Sequence, residues 1–377
     1  MRPTWAEVDL RALRLNLAFL RGVVSAGTRV IAVVKANAYG HGAVAVAREL
    51  ERAGVDGLAV AIAEEGAELR AAGIRSPILL LNGFWPGQED EVIRSRLTAT
   101  VYAADMVSAL ARTGRKLGQK ARYQIKVDTG LGRLGVDWED SSPFVASCQR
   151  GSGWAVCEGI YTHLSAAEIV ENQLNRRQLR RFRGVLASLG TWGSGLNWIH
   201  AANSAALLNF PDSRFNAVRP GLAVYGVNPL GENHPLALEA ALSFKTRIMQ
   251  LKRVKKGAFI GYGGDHTVSR RSVIATLPVG YADGLNRLMS NCGCVLIRGQ
   301  RAPIIGRISM DLTLVDVTDL EAARVGDEVV LIGNQNGAWL SVQEVAQVCH
   351  TIPYEILCGI GPRVPRVYLN PANASDE

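Results

Sequence analysis

The stretch VIAVVKANAYGHG, residues 30–42, decides the fold of this chain. Its first five residues are apolar, mostly β-branched and without alternation, which predicts a short strand buried on both faces. Lys35 ends this run and a helical pattern follows Gly42, so the lysine lies where a buried strand opens into a loop. Burial at such a position lowers the pKa of an amine and leaves it chemically usable. A lysine that extends its ammonium group into solvent is the alternative that position alone favours.

The order of strand and then helix continues from residue 29 to about residue 220. Apolar segments predict eight strands near residues 30–34, 57–61, 77–81, 98–101, 121–127, 155–160, 196–200 and 215–219. Amphipathic segments between them predict helices. Eight such alternations over roughly 200 to 250 residues are typical of the α/β class and of a closed (β/α)8 TIM barrel. An open, doubly wound sheet is the alternative, although the G-x-G-x-x-G loop of its dinucleotide-binding form does not follow the first strand.

The pattern changes after the segment NPLGENHP, residues 228–235, whose composition is that of a linker. From about residue 240, period-two segments without long helices predict a smaller, mostly β domain. We therefore expect a barrel domain over residues 1–236 and a C-terminal β domain over residues 237–377. Two domains also suit the length of the chain, which exceeds that of one ordinary core. Residues 370–377 have the composition of a loose tail.

Composition indicates a globular protein and excludes several other classes. Hydrophobic residues are 48% and charged residues 20% of the chain, and no apolar run is long enough to span a membrane. The first residues lack the apolar core and cleavage site of a secretory signal, so we expect a cytoplasmic protein. The six cysteines lack the spacing of a zinc site or of a disulfide framework, so we expect no metal.

The net charge of +8 comes partly from basic clusters at residues 176–183 and 252–256. No DNA-reading motif or arginine-aromatic platform accompanies these clusters, so we expect no nucleic-acid partner. A modest positive field suits a small molecule that bears a phosphate or a carboxylate.

Polar side chains collect at the predicted C-terminal ends of the strands, which a barrel brings to one face. They are Lys35, Tyr39, Lys126, Asp128, Arg133, His163, His200, Asn203, Ser204, Arg219 and Gly221. Each has a structural explanation when taken alone. His163 can be a satisfied core histidine, and Asp128 can pair with Arg133. Ser204 can cap a helix, and Arg219 can be a surface charge at the bottom of the barrel. The concentration of cationic and donor groups on one rim is harder to explain in these ways.

The region after the seventh and eighth strands offers donors for an anion, and barrels of this kind often bind a phosphate there. The Ser204 hydroxyl stands at a predicted helix start, and the amides of Gly221 and Leu222 follow the last strand. Glycine lets the main chain approach an anion, and a helix N-terminus attracts one. A lysine at the first strand, a phosphate cradle and a ring between them describe pyridoxal 5'-phosphate, whose aldehyde condenses with an amine.

Nine segments of the chain resemble those of the alanine racemase family, in the same order. They are AVVKANAYGHG (32–42), KVDTGLGRLG (126–135), YTHLSAAE (161–168), HAANSAALL (200–208), RPGLAVYG (219–226), GYGGDHT (261–267), PVGYADG (278–284), GRISMD (306–311) and TIPYEILCGIGPRVPRVY (351–368). The resemblance implies a pyridoxal-phosphate enzyme with a (β/α)8 barrel and a C-terminal β domain. Its implied function is to interconvert L-alanine and D-alanine, an isomerase reaction that supplies D-alanine for peptidoglycan.

The resemblance assigns two catalytic bases. Lys35 would hold the cofactor covalently and act as one base, and Tyr262 would act as the other on the opposite face of the substrate. A racemase needs such a pair, because one base removes the α-proton and the other returns it. Without the resemblance, Tyr262 would be interpreted as a buried strand tyrosine with its hydroxyl satisfied.

The resemblance also implies the contacts of the cofactor. Arg219 would bond the pyridine nitrogen, and because an arginine keeps its proton, the ring would be a weaker electron sink than beside a carboxylate. His163 would support the ring. The implied phosphate ligands are Tyr39, Ser204, Tyr354 and the amides of Gly221 and Leu222.

The substrate would be held by two groups and would enter between two others. Arg133 and the Met310 amide would bind the substrate carboxylate, while Tyr281 and Asp311 would line the entry. Lys126 matches a position that is carbamylated in some members, where the carbamate orients the arginine.

In the family, residues of the β domain reach the lysine of another subunit, so Tyr262, Tyr281 and Met310 imply a head-to-tail homodimer with two shared sites.

Two alternative functions stay open. A decarboxylase of basic amino acids on the same scaffold would carry glycine-rich and cysteine motifs that are not visible here. A barrel that binds the cofactor without catalysis would lack residues 240–370. Serine or a wider range of substrates also stays open, because an apolar pocket rejects an added hydroxyl only weakly.

Overall fold

The strand predicted at residues 30–34 is the first of eight parallel strands that close into a barrel within the described part of the chain, which confirms the predicted fold. The barrel strands are Arg29–Val33, Gly57–Val60, Ile78–Leu80, Thr98–Val101, Ala121–Asp128, Ala155–Tyr161, Trp198–His200 and Ala217–Val218. The ring closes where the fourth strand pairs with the fifth and the eighth pairs with the first. A short strand, Val136–Asp137, adds to the fifth.

The structure is a computed structural model that describes residues 3–149, 153–231 and 234–372. Two residues of the predicted linker, 232 and 233, and residues 373–377 of the predicted tail lie outside the described residues. No helix in these described ranges is both long enough and apolar enough to cross a membrane.

The barrel strands are apolar along their length because both of their faces are covered. The second, third and fourth strands are buried at every residue, since side chains fill the barrel and helices pack outside it. The helices are Leu10–Val23, Ala43–Arg52, Ala63–Ala71, Glu89–Arg94, Ala104–Leu117, Ser141–Gln149, Gln173–Ser188, Gly190–Ser194, Ser204–Asn209, Val342–Val348 and Pro353–Cys358. The 3-10 turns are Pro211–Ser213, Leu222–Tyr225, Tyr262–Gly264, Tyr281–Asp283 and Arg287–Met289.

The chain beyond the linker is mostly β, as predicted. Among the described residues its largest sheet takes the strands Leu242–Arg247, Cys294–Ile297, Gln300–Pro303, Glu328–Gln335, Ala338–Leu340 and Arg366–Leu369. A second, antiparallel sheet contains Gln250–Val254, Ser272–Leu277 and Thr313–Asp316. A short hairpin pairs Phe259–Ile260 with His266–Thr267.

The first strand of the chain, Thr4–Asp9, also belongs to the largest of these sheets. It runs antiparallel to Leu242–Arg247 and parallel to Arg366–Leu369. The Thr4 hydroxyl bonds the Thr246 hydroxyl at 2.8 Å. From sequence, these residues were predicted to belong to the barrel domain, because the pattern of a strand does not specify which strands it pairs with. Both ends of the described chain are therefore joined in one sheet beside the barrel.

Candidate active site

The segment after the first barrel strand forms a left-handed turn, whereas the sequence predicts an ordinary loop. Ala36, Asn37, Ala38 and Tyr39 have φ angles of 51°, 53°, 52° and 49°. Left-handed backbone costs about 1–2 kcal/mol for each non-glycine residue. Four such residues in succession must therefore be held by contacts from elsewhere in the molecule.

Two polar side chains hold this turn. The Asn37 amide oxygen accepts a hydrogen bond from the Ala43 amide at 2.8 Å. The Glu65 carboxylate accepts from the Ala36 amide at 2.6 Å and from the Ala61 amide at 2.7 Å. Glu65 is not among the residues predicted from sequence. An acidic residue in the first turn of a helix is a capping signal, but the signal gives no indication that the same carboxylate reaches the lysine segment.

Tyr39, the last residue of the turn, contacts Tyr354. Their rings contact edge to face with centroids 5.5 Å apart. Burial raises the pKa of Tyr354 to about 12 and raises that of Tyr39 further, so both hydroxyls are donors near neutral pH. Packing is tight here, because a Cβ atom on Gly40 would lie 2.2 Å from the Leu357 carbonyl oxygen.

Lys35 is half-buried at the mouth of the barrel, and its pKa is lowered. Burial is the main cause, and the charge of Arg133 is the second, while Glu65 opposes the shift. A larger fraction of this amine is neutral at a given pH than in water, and a neutral amine can accept a proton or react with a carbonyl.

Arg219 follows the last barrel strand and is buried, so its interpretation as a surface charge at the bottom of the barrel is wrong. One of its terminal nitrogens donates to His163 Nδ1 at 3.0 Å and to the Thr162 carbonyl at 3.1 Å. The other donates to His200 Nδ1. Burial lowers the pKa of Arg219 to about 10, which leaves it charged near neutral pH.

These contacts fix the proton positions on both histidines. Each Nδ1 accepts from the guanidinium, so neither carries a hydrogen there. His200 Nε2 consequently carries the hydrogen and donates it to the Gln124 side-chain oxygen at 2.7 Å. Burial, followed by the charge of Arg219, holds the pKa of both histidines well below the usual value. Gln124 is not among the residues predicted from sequence. A polar residue inside an apolar strand does, however, indicate a buried hydrogen-bond partner of this type.

Ser204 does not cap its helix. Asn203 is the cap, because its side-chain oxygen accepts from the Ala206 amide at 2.8 Å. The Ser204 hydroxyl accepts instead from the Gly221 amide at 2.9 Å and from the Ala223 amide at 3.2 Å.

Gly221 brings this hydroxyl close to the lysine segment. A Cβ atom at Gly221 would lie 2.6 Å from the Tyr39 hydroxyl oxygen, so only glycine allows the approach. Leu222 begins a 3-10 turn, where an amide has no partner within the turn. Ser204, Gly221 and Tyr39 thus lie together, and the Leu222 amide follows them in the chain. Hydroxyl and amide donors collected in this way suit an anion.

Lys126 is buried and shares an aromatic neighbour with Arg219. Its ammonium nitrogen lies 5.5 Å, and the Arg219 guanidinium carbon 5.0 Å, from the centre of the Tyr161 ring. Burial and the charges of Arg219, Arg133 and Lys35 lower the pKa of Lys126 to about 7. About half of this amine is consequently neutral at pH 7, and a larger fraction is neutral at higher pH.

Asp128 shapes the loop that carries Arg133, but not through an ion pair with it in the described residues. The carboxylate accepts instead from the amides of Gly130, Leu131 and Gly132 at 2.8 to 2.9 Å. The exposed Arg133 side chain stands near enough to the mouth of the barrel for its charge to lower the pKa of Lys35.

Apart from Tyr354, which contacts Tyr39, the expected residues of the β half lie on the surface of the chain. Tyr262 is 71% and Met310 is 52% exposed, and Tyr281 is also exposed. Asp311 pairs with Arg363 at 2.7 Å, and the same arginine bonds Asp283 at 2.7 Å. This arginine joins the segment around Tyr281 to the segment around Met310.

Comparison with known proteins identifies the family. A family model for the N-terminal domain of alanine racemase matches residues 8–229, and one for the C-terminal domain matches residues 241–368. The chain belongs to the alanine racemase family. The alanine racemase of Symbiobacterium thermophilum is 46% identical over 369 residues, which cover 98% of this chain and 97% of that protein. That of Halothermothrix orenii is 42% identical over 370 residues, which cover 98% of this chain and 97% of that protein.

Solved structures of alanine racemases share the fold. One from Clostridium difficile 630 has a TM-score of 0.91 and 36% identity, and the match covers 98% of this chain and 96% of that one. One from Bartonella henselae, described with covalently bound pyridoxal phosphate, has a TM-score of 0.87 and 34% identity, with 98% and 100% covered.

The residues present in this alanine racemase family member fit pyridoxal 5'-phosphate, the cofactor of the family. An amine with a lowered pKa suits the aldehyde, and the cradle around Ser204 and Gly221 suits the phosphate. Arg219 has no carboxylate partner among the described residues, so a cationic donor is present for the ring nitrogen. Of the residues predicted from sequence, the structure brings the barrel residues and Tyr354 together and leaves Tyr262, Tyr281, Met310 and Asp311 on the surface.

Proposed function

We propose that this protein is an alanine racemase that uses two bases, Lys35 and Tyr262, on opposite faces of the substrate. The observation that carries the proposal is the Lys35 amine at the mouth of the barrel, whose pKa is lowered by burial and by Arg133. Membership of the family supports alanine as the substrate and D-alanine for peptidoglycan as the role.

Lys35 would hold the cofactor covalently, and Ser204, Tyr39, Tyr354 and the amides of Gly221 and Leu222 would bind its phosphate. The two tyrosine hydroxyls are protonated donors, as an anion requires. When bound, the cofactor supplies an electron sink for negative charge at the α-carbon of the substrate.

Arg219 would meet the ring nitrogen, with His163 beside it. Its guanidinium is positioned by the two neutral histidines and keeps its proton near neutral pH. A donor that does not give up its proton moderates the electron sink, which limits side reactions of the deprotonated substrate.

Tyr262 would come from a second copy of the chain. A base that returns a proton to carbon must sit beside it and away from bulk water, yet Tyr262 is 71% exposed in one chain. Tyr281 and Met310 of the β half are also exposed large side chains, and a head-to-tail homodimer would cover them together with Tyr262. We also propose the domain division at residues 236 and 237, with residues 237–377 contributing to the site of the partner.

Substrate alanine would be held by its carboxylate, between the Arg133 guanidinium and the Met310 amide. Tyr281 and Asp311 would line the entry, where Arg363 anchors the Asp311 carboxylate. Serine would bind more weakly but is not strongly excluded by an apolar pocket. We place this reaction in the cytoplasm.

Replacing Tyr262 by Phe tests the two-base proposal. We expect racemisation to fall by about 100-fold or more, because a general base contributes roughly that much. Lys35 should still exchange the α-proton of one alanine enantiomer with D2O, which mass spectrometry detects in the unconverted amino acid. Tyr281→Phe removes a hydroxyl from another exposed tyrosine of the β half and should mainly raise the KM for alanine. A Tyr262→Phe protein that racemises alanine as fast as the parent contradicts the proposal, and release of CO2 from any amino acid would favour a decarboxylase.

A further inference from the structure

The amino-terminal mouth of the barrel, opposite the proposed active site, contains a large cleft. Its volume is about 1120 Å³, and the first residues of several barrel strands form its inner wall. The face at this end of a (β/α)8 barrel ordinarily serves stability and not chemistry. Cleft volume of this size is that of pockets that bind small organic molecules.

Positive charge dominates the lining of this cleft, and most of it is not neutralised. Five cationic residues of the lining form no ion pair with any described residue: Arg29, Arg70, Arg75, Arg96 and Lys120. The single carboxylate of the lining belongs to Glu158, which already pairs with Arg122. Glu51 lies outside the lining, and its carboxylate accepts from the Arg75 and Ser76 amides. Its charge partly offsets the lowering of the pKa of Arg70.

Two of these cations are held rigidly. The Arg70 guanidinium donates to the carbonyls of Ile74 and Ser76 at 2.8 Å and of Ser95 at 3.0 Å. The Arg29 guanidinium carbon stands 5.2 Å from the centre of the Trp198 ring. The charge of Arg96 contributes, after burial, to a lowered pKa of Arg70, so these cations repel one another.

The floor of the cleft is apolar. Ile93, Leu97, Ala121 and Trp198 line it and are buried in the barrel and its helices. The side chains of Arg75, Arg96 and Lys120 are exposed at the rim. A ligand that fits both parts carries an organic group for the floor and several negative charges for the rim.

We propose that this cleft binds a small organic polyphosphate, such as a nucleoside triphosphate. Like charges collected on a stability face lower the stability of the folded chain, and a polyanion compensates them. The concave shape and limited size favour a small molecule over a nucleic acid. This site goes beyond the proposed racemisation and shares no residue with it.

The test uses the cofactor-loaded protein at physiological salt without Mg²⁺. We expect ATP to bind, as measured by calorimetry, and to bind more tightly than tripolyphosphate or adenosine. A change in tryptophan fluorescence that is absent from the Trp198→Phe variant should accompany binding. The triple variant Arg75→Gln, Arg96→Gln, Lys120→Gln should lose more than about tenfold in affinity, because each rim cation makes charge-assisted contacts. Without ligand, this variant should melt at a higher temperature than the parent, since the repulsion is relieved.

A matched control removes the same charge from another surface. Lys252, Lys255 and Lys256 are exposed in the β half, and their triple replacement by Gln should change ATP affinity less than twofold. If both triple variants lose the same ATP affinity, ATP is attracted only by the net charge of the protein, and the proposal is overturned. Absence of ATP binding to the parent protein also overturns it. Tripolyphosphate binding as tightly as ATP overturns the role of the apolar floor. Racemisation by the cleft variant reports whether it is folded.

Discussion

At the scale of single residues, the cationic side chains around the mouth of the barrel control one another's protonation. Lys126 is the clearest case, because burial and three neighbouring cations lower its pKa to about 7. A neutral amine reacts with CO2, and the carbamate formed would place a negative charge among Arg219, Arg133 and Lys35. Such a charge would relieve the local repulsion and orient the Arg133 side chain.

We predict that Lys126 is carbamylated when bicarbonate is present near pH 8. Labelling with ¹³C-bicarbonate should give a carbamate signal in the NMR spectrum that is absent from the Lys126→Met variant. Lys126→Arg, which keeps a charge but does not react with CO2, should also lack the signal and should raise the KM for alanine. A signal of equal strength in the Met variant, or none in the parent, would show that this lysine stays unmodified.

At the scale of elements, the left-handed turn after the first strand depends on its neighbours. Gly40 ends the turn with a φ of 79°, directly against the helix Pro353–Cys358 of the β half. Gly54 has nearly the same φ, 77°, but a Cβ atom there would meet nothing within 4 Å. Comparing alanine substitutions at Gly40 and Gly54 therefore separates the cost of the left-handed backbone from the cost of the steric clash with the helix.

We predict that Gly54→Ala lowers the free energy of unfolding by about 1 kcal/mol, the cost of left-handed backbone alone. Gly40→Ala should cost about 3 kcal/mol or more, because the added methyl group also pushes the Leu357 carbonyl away. Urea unfolding of both variants measures the difference. Equal costs would mean that the helix does not hold the turn.

The barrel strands could be predicted from sequence because each is a local apolar run, and all eight are found where expected. The left-handed turn could not be predicted, since its alanines have no local preference for that conformation and Glu65 imposes it from another helix. The pairing of Thr4–Asp9 with the largest sheet of the β half could not be predicted either, because the pattern of a strand does not specify its partner.

The candidate site shows the same division between local and distant information. Polar residues at strand ends could be located from the strand pattern alone, and their convergence follows from closure of the barrel. The Gln124–His200–Arg219 series was not predicted, because it joins three strands through side chains. The roles of Tyr262 and Met310 come from the family resemblance, since one chain leaves both on its surface.

At the scale of the whole molecule, buried histidines make stability depend on pH. Burial lowers the pKa of His41 to about 4 and holds those of His163 and His200 well below the usual value of 6.5. Below pH 6.5 the unfolded chain takes up protons that the folded chain does not. The contribution of these histidines to the free energy of unfolding is therefore fully present above pH 6.5. It is lost as the pH falls towards their pKa values in the folded state.

We predict that the free energy of unfolding drops between pH 6.5 and pH 5 by about 1 kcal/mol per pH unit for each of these histidines. Urea unfolding at several pH values measures the slope. His41→Asn should reduce the slope, whereas His350→Asn, a change at an exposed histidine, should not. A parent protein with a flat profile over this range would show that these histidines charge freely in the fold.

A shared active site is the central proposal at this scale, because a racemase with Lys35 and Tyr262 as its two bases would need both of them. Mixing two inactive variants, Lys35→Ala and Tyr262→Phe, tests it most directly after the subunits have been allowed to exchange. Random pairing makes half of the dimers mixed, each with one complete site of two, so the mixture should recover about a quarter of the parent activity. A mixture that stays as inactive as its two components, although mixed dimers are present, would contradict a site built from two chains.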